Sequence, residues 1–193
     1  MVRDSALLAS GLLSEKMGGP SVRPPQPDGV TEAAYGSPKW NADSGEDRNR
    51  RSIYTFMKRT APFALYANFD APTGEACLAR REISNTPLQA LALLNDVVFL
   101  DASRALGRIL ATQEGSVEDR VRILFRRCLT RPPTNEEVAA LAKFYTAQKE
   151  RFAKGELDAK ALAGEAAGDV NECAAWTALA RALWNFDEAI TRS

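Results

Sequence analysis

The stretch that decides the fold is residues 86–96, which read TPLQALALLND. Thr86 can accept a hydrogen bond from the amide of Gln89, whose side chain can reach back to Thr86. Pro87 stands at the first helical position, where its missing N–H costs nothing. Leucines then recur at helical spacing, and Asp96 can cap a second helix that begins at once. The pattern therefore predicts two consecutive helices.

The same start signals recur toward the C-terminus. Ser116 can cap a third helix, and a second capping box begins at Thr134, after prolines that interrupt the chain. Asp169 opens a last helix with apolar residues at helical spacing. These signals predict a helical bundle over residues 84–193. Residues 154–168, rich in Gly and Ala, are expected to be a mobile connector.

The preceding residues, 1–83, have fewer helical signals and more prolines. Residues 1–13 read as the end of an amphipathic helix, whereas the prolines from Pro20 to Pro38 exclude regular structure. A cap signal at residues 44–47 favours a helix over residues 48–60, and a strand over 52–58 is the competing interpretation. We expect a mainly α fold with little or no β: an irregular helical bundle on which a long, loop-rich N-terminal segment packs, forming one domain.

Composition excludes several classes of site. The 193 residues contain 25 Lys and Arg, 25 Asp and Glu, and no His, so His-dependent nucleophiles and His-ligated metals or haem are excluded. The net charge is zero, which argues against a nucleic-acid partner. No apolar run is long enough to span a membrane. We expect no metal and no cofactor.

The three cysteines do not have metal-ligand spacing. Cys77, Cys128 and Cys173 are expected to be small buried hydrophobes, although one disulfide with a spare thiol is possible in an exported protein. The C-terminal Trp176, Trp184 and Phe186 are expected in the core. Asp187 and Glu188 are expected at the end of the last helix, where they oppose its dipole.

One polar cluster is a candidate binding site. Its members carry guanidinium or carboxylate groups, and they are Arg59, Asp70, Glu75, Arg80 and Arg81. Arginine forks suit carboxylates, phosphates and glycans, so the cluster could bind or process a glycan or an anion. Alternatively, the arginines could form ion pairs with the carboxylates and tie the long loop to the bundle, with Arg50, Arg51, Arg80 and Arg81 pairing with Asp70, Glu75 and Glu82. The sequence favours this second, structural interpretation.

Several blocks resemble a known family in order along the chain. They are residues 11–22, 50–60, 69–72, 85–96, 131–133 and 176–188. Together they are similar to the C-terminal domain of unknown function found in large planctomycete-type proteins that carry a cytochrome c-like domain. The chain departs from that pattern at Met57, Pro62, Phe63, Gly74 and Val97, so the resemblance supports the fold more than a shared site around residues 57–77.

The resemblance implies an exported, envelope-associated setting. It implies that this chain is the C-terminal piece of a longer multidomain protein, whose partners are other domains of the parent or envelope components, and possibly a polysaccharide. It implies no reaction and no haem, since the CxxCH motif is absent here. We therefore expect a non-catalytic structural or interaction module, with glycan or anion binding as the alternative.

Overall fold

The computed structural model of the chain describes residues 1–27, 39–58, 61–72, 74, 77–80, 84–166 and 168–191. Within these ranges the secondary structure is helical, and the β pairing consists of two isolated parallel bridges, Ser14–Arg50 and Val22–Thr55. The predicted mainly α fold is confirmed.

Helices run through both halves of the chain. The α-helices are α1 (Val2–Ser10), α2 (Ala64–Asn68), α3 (Pro87–Asn95), α4 (Val97–Thr112), α5 (Val117–Leu129), α6 (Asn135–Ala153), α7 (Ala159–Ala163), α8 (Val170–Trp184) and α9 (Asp187–Ile190). Two 3₁₀ helices, Gly45–Asn49 and Ser52–Tyr54, lie between α1 and α2.

The helix starts follow the predicted caps. Thr86, Ser116 and Thr134 each form a capping box at the start of α3, α5 and α6. The Asp96 and Asp169 carboxylates accept from the amides of Val98 and Asn171, the second residues of α4 and α8. Each cap satisfies backbone donors that a helix start leaves unpaired. The local sequence therefore sets where the bundle helices begin.

Helix α8 is the centre of the bundle. It packs against α4, α6 and α7, and nine of its residues are buried. Helices α4 and α8 lie close together at Gly107 of α4, where an added Cβ would lie 2.3 Å from Thr177 Oγ1 and 2.9 Å from the Cys173 carbonyl oxygen. Only glycine fits this position without a shift of one helix against the other.

The N-terminal segment contributes to the same core. Helix α1 packs on α4 and α5, and Ala6, Phe63 and Leu65 belong to one buried cluster with residues of the bundle helices. The boundary between an N-terminal segment (1–83) and a bundle (84–193) stays a prediction. The hydrophobic core contains residues from both sides of this boundary.

The expected helix over residues 48–60 is wrong for its described part, which ends at Lys58. Two short 3₁₀ helices lie there, and Arg50 and Arg51 between them have non-helical backbones, with ψ of 157° and 142°. The reason is that Arg50 turns inward and its carbonyl accepts a hydrogen bond from Arg3. Ile53, which a helix over residues 48–60 would place on one apolar face with Phe56 and Met57, is 79% exposed.

Three smaller expectations also need correction. Asp187 and Glu188 lie in the first turn of α9 and not at a helix end, so the helix dipole favours them. Residues 154–168 contain helix α7, whose Ala159 and Ala163 are buried. Cys77 is exposed, whereas the other two cysteines are buried free thiols.

Candidate functional site

The predicted polar cluster lies partly outside the described residues. Arg59, Glu75 and Arg81 belong to that undescribed part of the chain. Of the two described members, Asp70 is half-buried and Arg80 is exposed. Convergence of the five side chains in one pocket therefore stays a prediction.

Asp70 holds the chain that enters α3. Its carboxylate accepts from the Ser84 amide at 2.8 Å and from Ser84 Oγ at 2.7 Å. Buried Gln89 donates through Nε2 to Ser84 Oγ at 3.0 Å and to the Asn68 carbonyl at 2.9 Å. The backbone of Asp70 is left-handed, with φ 53°, a conformation that Asp tolerates better than most residues. These bonds connect the end of α2 to the start of α3.

Arg50 is a buried guanidinium whose described hydrogen-bond acceptors are backbone carbonyls. It is 1% exposed and donates to the carbonyl oxygens of Lys16 at 3.3 Å, of Pro20 at 3.2 Å and of Gly18. Its Cζ lies 4.0 Å from the ring centroid of Tyr54, whose hydroxyl accepts from the Gly18 amide. The left-handed turn at Gly18, with φ 73°, helps present these carbonyls. Arg50 is therefore shielded from any external anion.

A second buried arginine continues this network. Arg3 of α1 is 4% exposed and donates to the carbonyl oxygens of Arg50 at 2.8 Å and Arg48 at 3.0 Å. Burial lowers the pKa of the Arg3 guanidinium, although Asp4 beside it acts in the opposite direction. The Asp4 carboxylate accepts from the amide and the hydroxyl of Ser52. Helix α1 thus fixes both 3₁₀ helices.

Among the described residues, one ion pair directly joins the N-terminal segment to the bundle. Arg48 Nη2 lies 2.6 Å from Asp101 Oδ2 on α4. Nearby, Asp96 is buried beneath the start of α4, and burial raises the pKa of its carboxyl, against the effects of the Val98 amide and Arg3. This guanidinium–carboxylate contact joins Arg48 to Asp101, a pair that was not predicted. Arg50, which was expected to pair with a carboxylate, binds carbonyls instead, as Arg3 mainly does.

The bundle carries a polar network beside two stacked aromatic rings. Glu172 lies 2.7 Å from Arg120 and 3.2 Å from Lys149. Burial raises the pKa of Glu172, but its bonds to Arg120 and Lys149 outweigh burial and hold the pKa below its usual value. Arg120 also faces Trp176, whose ring stacks on Tyr145 with centroids 4.0 Å apart. The network joins α5, α6 and α8.

A second charged group closes the turn between α5 and α6. Arg131 binds the carboxylates of Glu137 and Glu188, each at 2.7 Å, and its guanidinium lies over the ring of Phe125. Hydrogen bonds from Arg131, with help from the Thr134 amide, lower the pKa of Glu137 to about 2. Glu188 of α9 is therefore part of a structural clamp.

The aromatic prediction is confirmed for the two tryptophans. Trp176 and Trp184 are buried in the core. Phe186, which was also expected there, is 39% exposed, so the prediction is wrong for Phe186. In the described ranges, no group of three or more His, Cys, Asp or Glu side chains is arranged to hold a metal ion. Among the helices described, none is both long and apolar enough to cross a bilayer.

Large apolar side chains at the surface were not anticipated from the sequence. Leu88 and Leu91 of α3 are 66% and 53% exposed, and Met17 is 71% exposed. The sequence signal that could have found the α3 surface is the absence of any charged residue from Ser84 to Asn95. A helix that is apolar on its outer face is atypical of a protein surface.

Comparison with known proteins gives one match. A family model described as PSD1, protein of unknown function (DUF1553), matches residues 1–145. The match ends inside α6, so the central helix α8 lies beyond it. No curated protein and no solved structure matches the chain.

Proposed function

We propose that this chain, which belongs to the PSD1 family of proteins of unknown function, is a non-catalytic interaction module of a larger exported protein. The observation that carries the proposal is that two kinds of side chain have different environments. Several groups that could do chemistry are occupied within the chain, while large apolar side chains face outward. A module that binds a macromolecule needs such a surface and needs no reactive group.

The occupied groups support the first half of this argument. Ser84 and Asp70 bind each other, and Gln89 donates to Ser84 and to a carbonyl, so a nucleophile at Ser84 would have to leave its structural partners. Arg50 donates its hydrogen bonds to backbone carbonyls of the same chain. Glu172 is neutralised by Arg120 and Lys149. Each of these groups stabilises a junction between elements.

The exposed groups support the second half. Met17 lies at a turn fixed by Arg50, and its sulfur contacts Arg51 and Tyr54. Methionine, tyrosine and arginine are enriched in protein interfaces, because they offer contact area together with a polar handle. Ile53, which is also exposed, lies between Arg51 and Tyr54 in the chain. That the chain is part of an exported, planctomycete-type protein is also proposed, and the support for it is the sequence resemblance.

Site-specific photo-crosslinking tests the proposal. A benzophenone side chain replaces Ile53 or Leu88, and a matched variant carries it at Glu118, an exposed position on the charged start of α5. In cells of the source organism, Ile53 and Leu88 are expected to give cross-linked products well above the yield at Glu118. Equal yields at the three positions would contradict an interaction surface there.

A turnover assay tests the non-catalytic half. We expect the purified chain to leave polysaccharide and ester substrates unhydrolysed. Hydrolysis that falls about a hundredfold in Asp70→Asn, with unchanged circular dichroism, would overturn the proposal, because it would place Asp70 at a reacting centre.

Binding of a glycan or anion is the second candidate. Arg80 is exposed in the described structure, and Asp70 lies in the same loop region, so part of the predicted cluster faces solvent. Calorimetric titration with inorganic sulfate and with an acidic oligosaccharide tests it. Binding is expected to weaken in Arg80→Ala and to be unchanged in Arg126→Ala, an exposed arginine on α5. Equal losses in both variants would exclude a specific site.

A further inference from the structure

Two buried donor groups in the N-terminal segment have no hydrogen-bond partner in the described part of the chain. They are the ammonium of Lys58 and the Nε2 amide of Gln26. A buried donor without an acceptor is unfavourable, and a buried ammonium without a counterion is more so. An unsatisfied group of this kind in a folded protein indicates a bound water, ion or ligand.

Lys58 and Gln26 follow two chain segments that run side by side. The Val22 amide donates to the Tyr54 carbonyl at 2.8 Å, and the Phe56 amide donates to the Val22 carbonyl at 2.7 Å, which is the pattern of a parallel pair. Gln26 is four residues beyond Val22, and Lys58 is two residues beyond Phe56. Because the two segments run in the same direction, both donors come after the paired stretch at the same end of it.

Two further hydrogen bonds place both residues near the start of α2. Gln26 Oε1 accepts from the Ala64 amide at 3.3 Å, so the carboxamide oxygen is occupied and its Nε2 is the unpaired end. The Lys58 carbonyl accepts from the Ala61 amide at 3.3 Å, three residues before Ala64. The two unpaired donors therefore belong to the same junction, between the paired segments and α2.

An arginine and two aromatic rings lie on the same segments. Arg23 Cζ is 4.7 Å from the ring centroid of Phe56, and the ring centroids of Phe56 and Trp40 are 6.4 Å apart. Arg23 is half-buried and forms no ion pair in the described ranges. The nearby Asp43 carboxylate accepts from the backbone amide of Arg23 at 2.5 Å.

Charge and ring contacts indicate which ligand suits this junction. The described segments 22–27, 39–43 and 54–58 carry three basic side chains and one acidic one, a net charge of +2; these are Arg23, Lys39, Lys58 and Asp43. A positive site rich in N–H donors favours an anion and repels a cation. Trp40 and Phe56 are half-buried, so their rings also offer apolar contact to an organic ligand, which an inorganic ion does not use.

We propose that Lys58, Gln26 and Arg23 bind the carboxylate of a small organic acid, whose apolar part packs against Phe56 and Trp40. Lys58 supplies the opposite charge, Gln26 Nε2 a neutral hydrogen bond, and Arg23 a planar guanidinium that binds a carboxylate through two N–H groups. The ligand gives the two buried donors their acceptor. The site shares no residue with the polar cluster predicted from the sequence, and it goes beyond the interaction module proposed above.

Thermal unfolding in the presence of benzoate tests the site. Benzoate carries a carboxylate on an apolar ring, and benzamide has nearly the same shape without the charge. We expect a Kd for benzoate on the order of 1 mM and, at about ten times that concentration, a rise of about 4 °C in the unfolding midpoint (Tm), because the ligand binds the folded state. Benzamide is expected to change Tm by less than about 1 °C.

Two outcomes of this titration would contradict the proposal. An equal rise with benzamide would show that the carboxylate is not recognised. An equal rise with inorganic sulfate at the same ionic strength would show that the site takes any oxyanion and that the rings contribute nothing.

Lys58→Met separates a ligand site from a structural lysine. Methionine keeps an apolar chain of similar length but has no charge. We expect the Kd for benzoate to rise at least about tenfold, whereas Tm without benzoate stays equal or rises, because a buried unpaired charge is removed. Lys143→Met, at an exposed lysine on α6, is the matched control and is expected to keep the benzoate response. A parental benzoate response in Lys58→Met would overturn the site.

Gln26→Glu tests whether the two donors share one ligand, even if Lys58→Met fails to fold. Glutamate keeps the oxygen that accepts from Ala64 and adds a carboxylate beside the Lys58 ammonium. We expect Tm without benzoate to rise and the benzoate response to disappear, since the new carboxylate takes the place of the ligand. A lower Tm, or an unchanged response to benzoate, would refute a shared site. These results are independent of the photo-crosslinking yields, which test the interaction module.

Discussion

The N-terminal segment and the helical bundle are held together by different interactions. In the bundle, apolar helix faces pack closely around α8, as at Gly107. In the N-terminal segment, long side chains supply hydrogen-bond donors to loop carbonyls, as at Arg3 and Arg50. A helix satisfies its own carbonyls, whereas a loop needs donors from elsewhere. Arginine suits this task because one planar group carries five N–H donors.

The largest expected contrast between the two regions is thiol reactivity. Cys77 is exposed, whereas Cys128 and Cys173 are buried in the bundle. Burial raises the pKa of Cys128 to about 12 and also raises that of Cys173, so few thiolates form. We expect a chromogenic disulfide reagent to modify one thiol rapidly and the other two about a thousandfold more slowly, since they need local opening.

Denaturation provides the control for this measurement. All three thiols should then react at one fast rate. Two or three fast thiols in the native protein would mean that the bundle core opens as readily as the loops.

The next largest effect is expected from Gly107→Ala in the bundle. Alanine favours a helix over glycine by about 1 kcal/mol, but its Cβ would overlap Thr177 Oγ1 and the Cys173 carbonyl. Because backbone atoms cannot move aside cheaply, we expect a net loss of about 3 kcal/mol in the free energy of unfolding, measured with denaturant. Adding Thr177→Ala should recover only part of it. An alanine variant more stable than the parent would refute the close α4–α8 contact.

A smaller loss is expected from Arg50→Ala in the N-terminal segment. The carbonyls of Lys16, Gly18 and Pro20 lose their donor, but their loop lies at the surface and water can replace it. We expect the free energy of unfolding, measured with denaturant, to fall by about 2 kcal/mol. Faster amide exchange should be confined to the residues near this loop.

Two arginine variants sharpen this result. Arg50→Lys keeps the charge without the planar guanidinium, so we expect it to recover little of the stability that Arg50→Ala loses. Arg51→Ala, at an exposed neighbouring position, should change stability by less than about 0.5 kcal/mol. Exchange that accelerates equally across α8 in Arg50→Ala would show that the two regions unfold as one unit.

The smallest effect is expected from acid titration of the Arg131 clamp. Its bonds lower the pKa of Glu137 from 4.5 to about 2, so the folded state favours the ionised carboxylate. This contribution is fully present above pH 4.5 and is lost as the pH falls toward 2. Since the pair is exposed, we expect only a slightly steeper fall of Tm over that range than in Glu137→Gln.

Glu136→Gln is the matched control for the acid titration. Glu136 is the exposed neighbour of Glu137 on α6 and is expected to keep the parental slope. Glutamine at position 137 still completes the capping box, so a difference between the variants reports on Arg131. Identical slopes in the parent and in Glu137→Gln would contradict the clamp.

The bundle could be predicted from sequence because its signals are local. The caps at Thr86, Ser116 and Thr134 depend on residues three positions apart, and the structure confirms them. The partners of Arg50 could not be predicted, since Lys16 and Pro20 are distant in the chain. A lone glycine in a helical pattern can mark a close approach, so Gly107 was available to sequence reasoning but was not recognised.

The surface leucines show a second limit. Leu88 and Leu91 follow the same periodicity whether they face the core or the solvent, and only tertiary packing decides between the two. Of the candidate site, the sequence placed Asp70 and Arg80 among charged neighbours but did not reveal that Asp70 binds Ser84. The meeting of all five residues stays a prediction.

The pairing of α4 with α8 has a consequence for biosynthesis. Helix α4 emerges from the ribosome first, and α5, α6 and α7 must be translated before α8 follows. At about 5–20 residues per second, this interval lasts several seconds, during which the part of α4 that packs on α8 has no final partner. The nascent chain is then most exposed to aggregation, so chaperone binding is expected to concentrate on α4 during that interval.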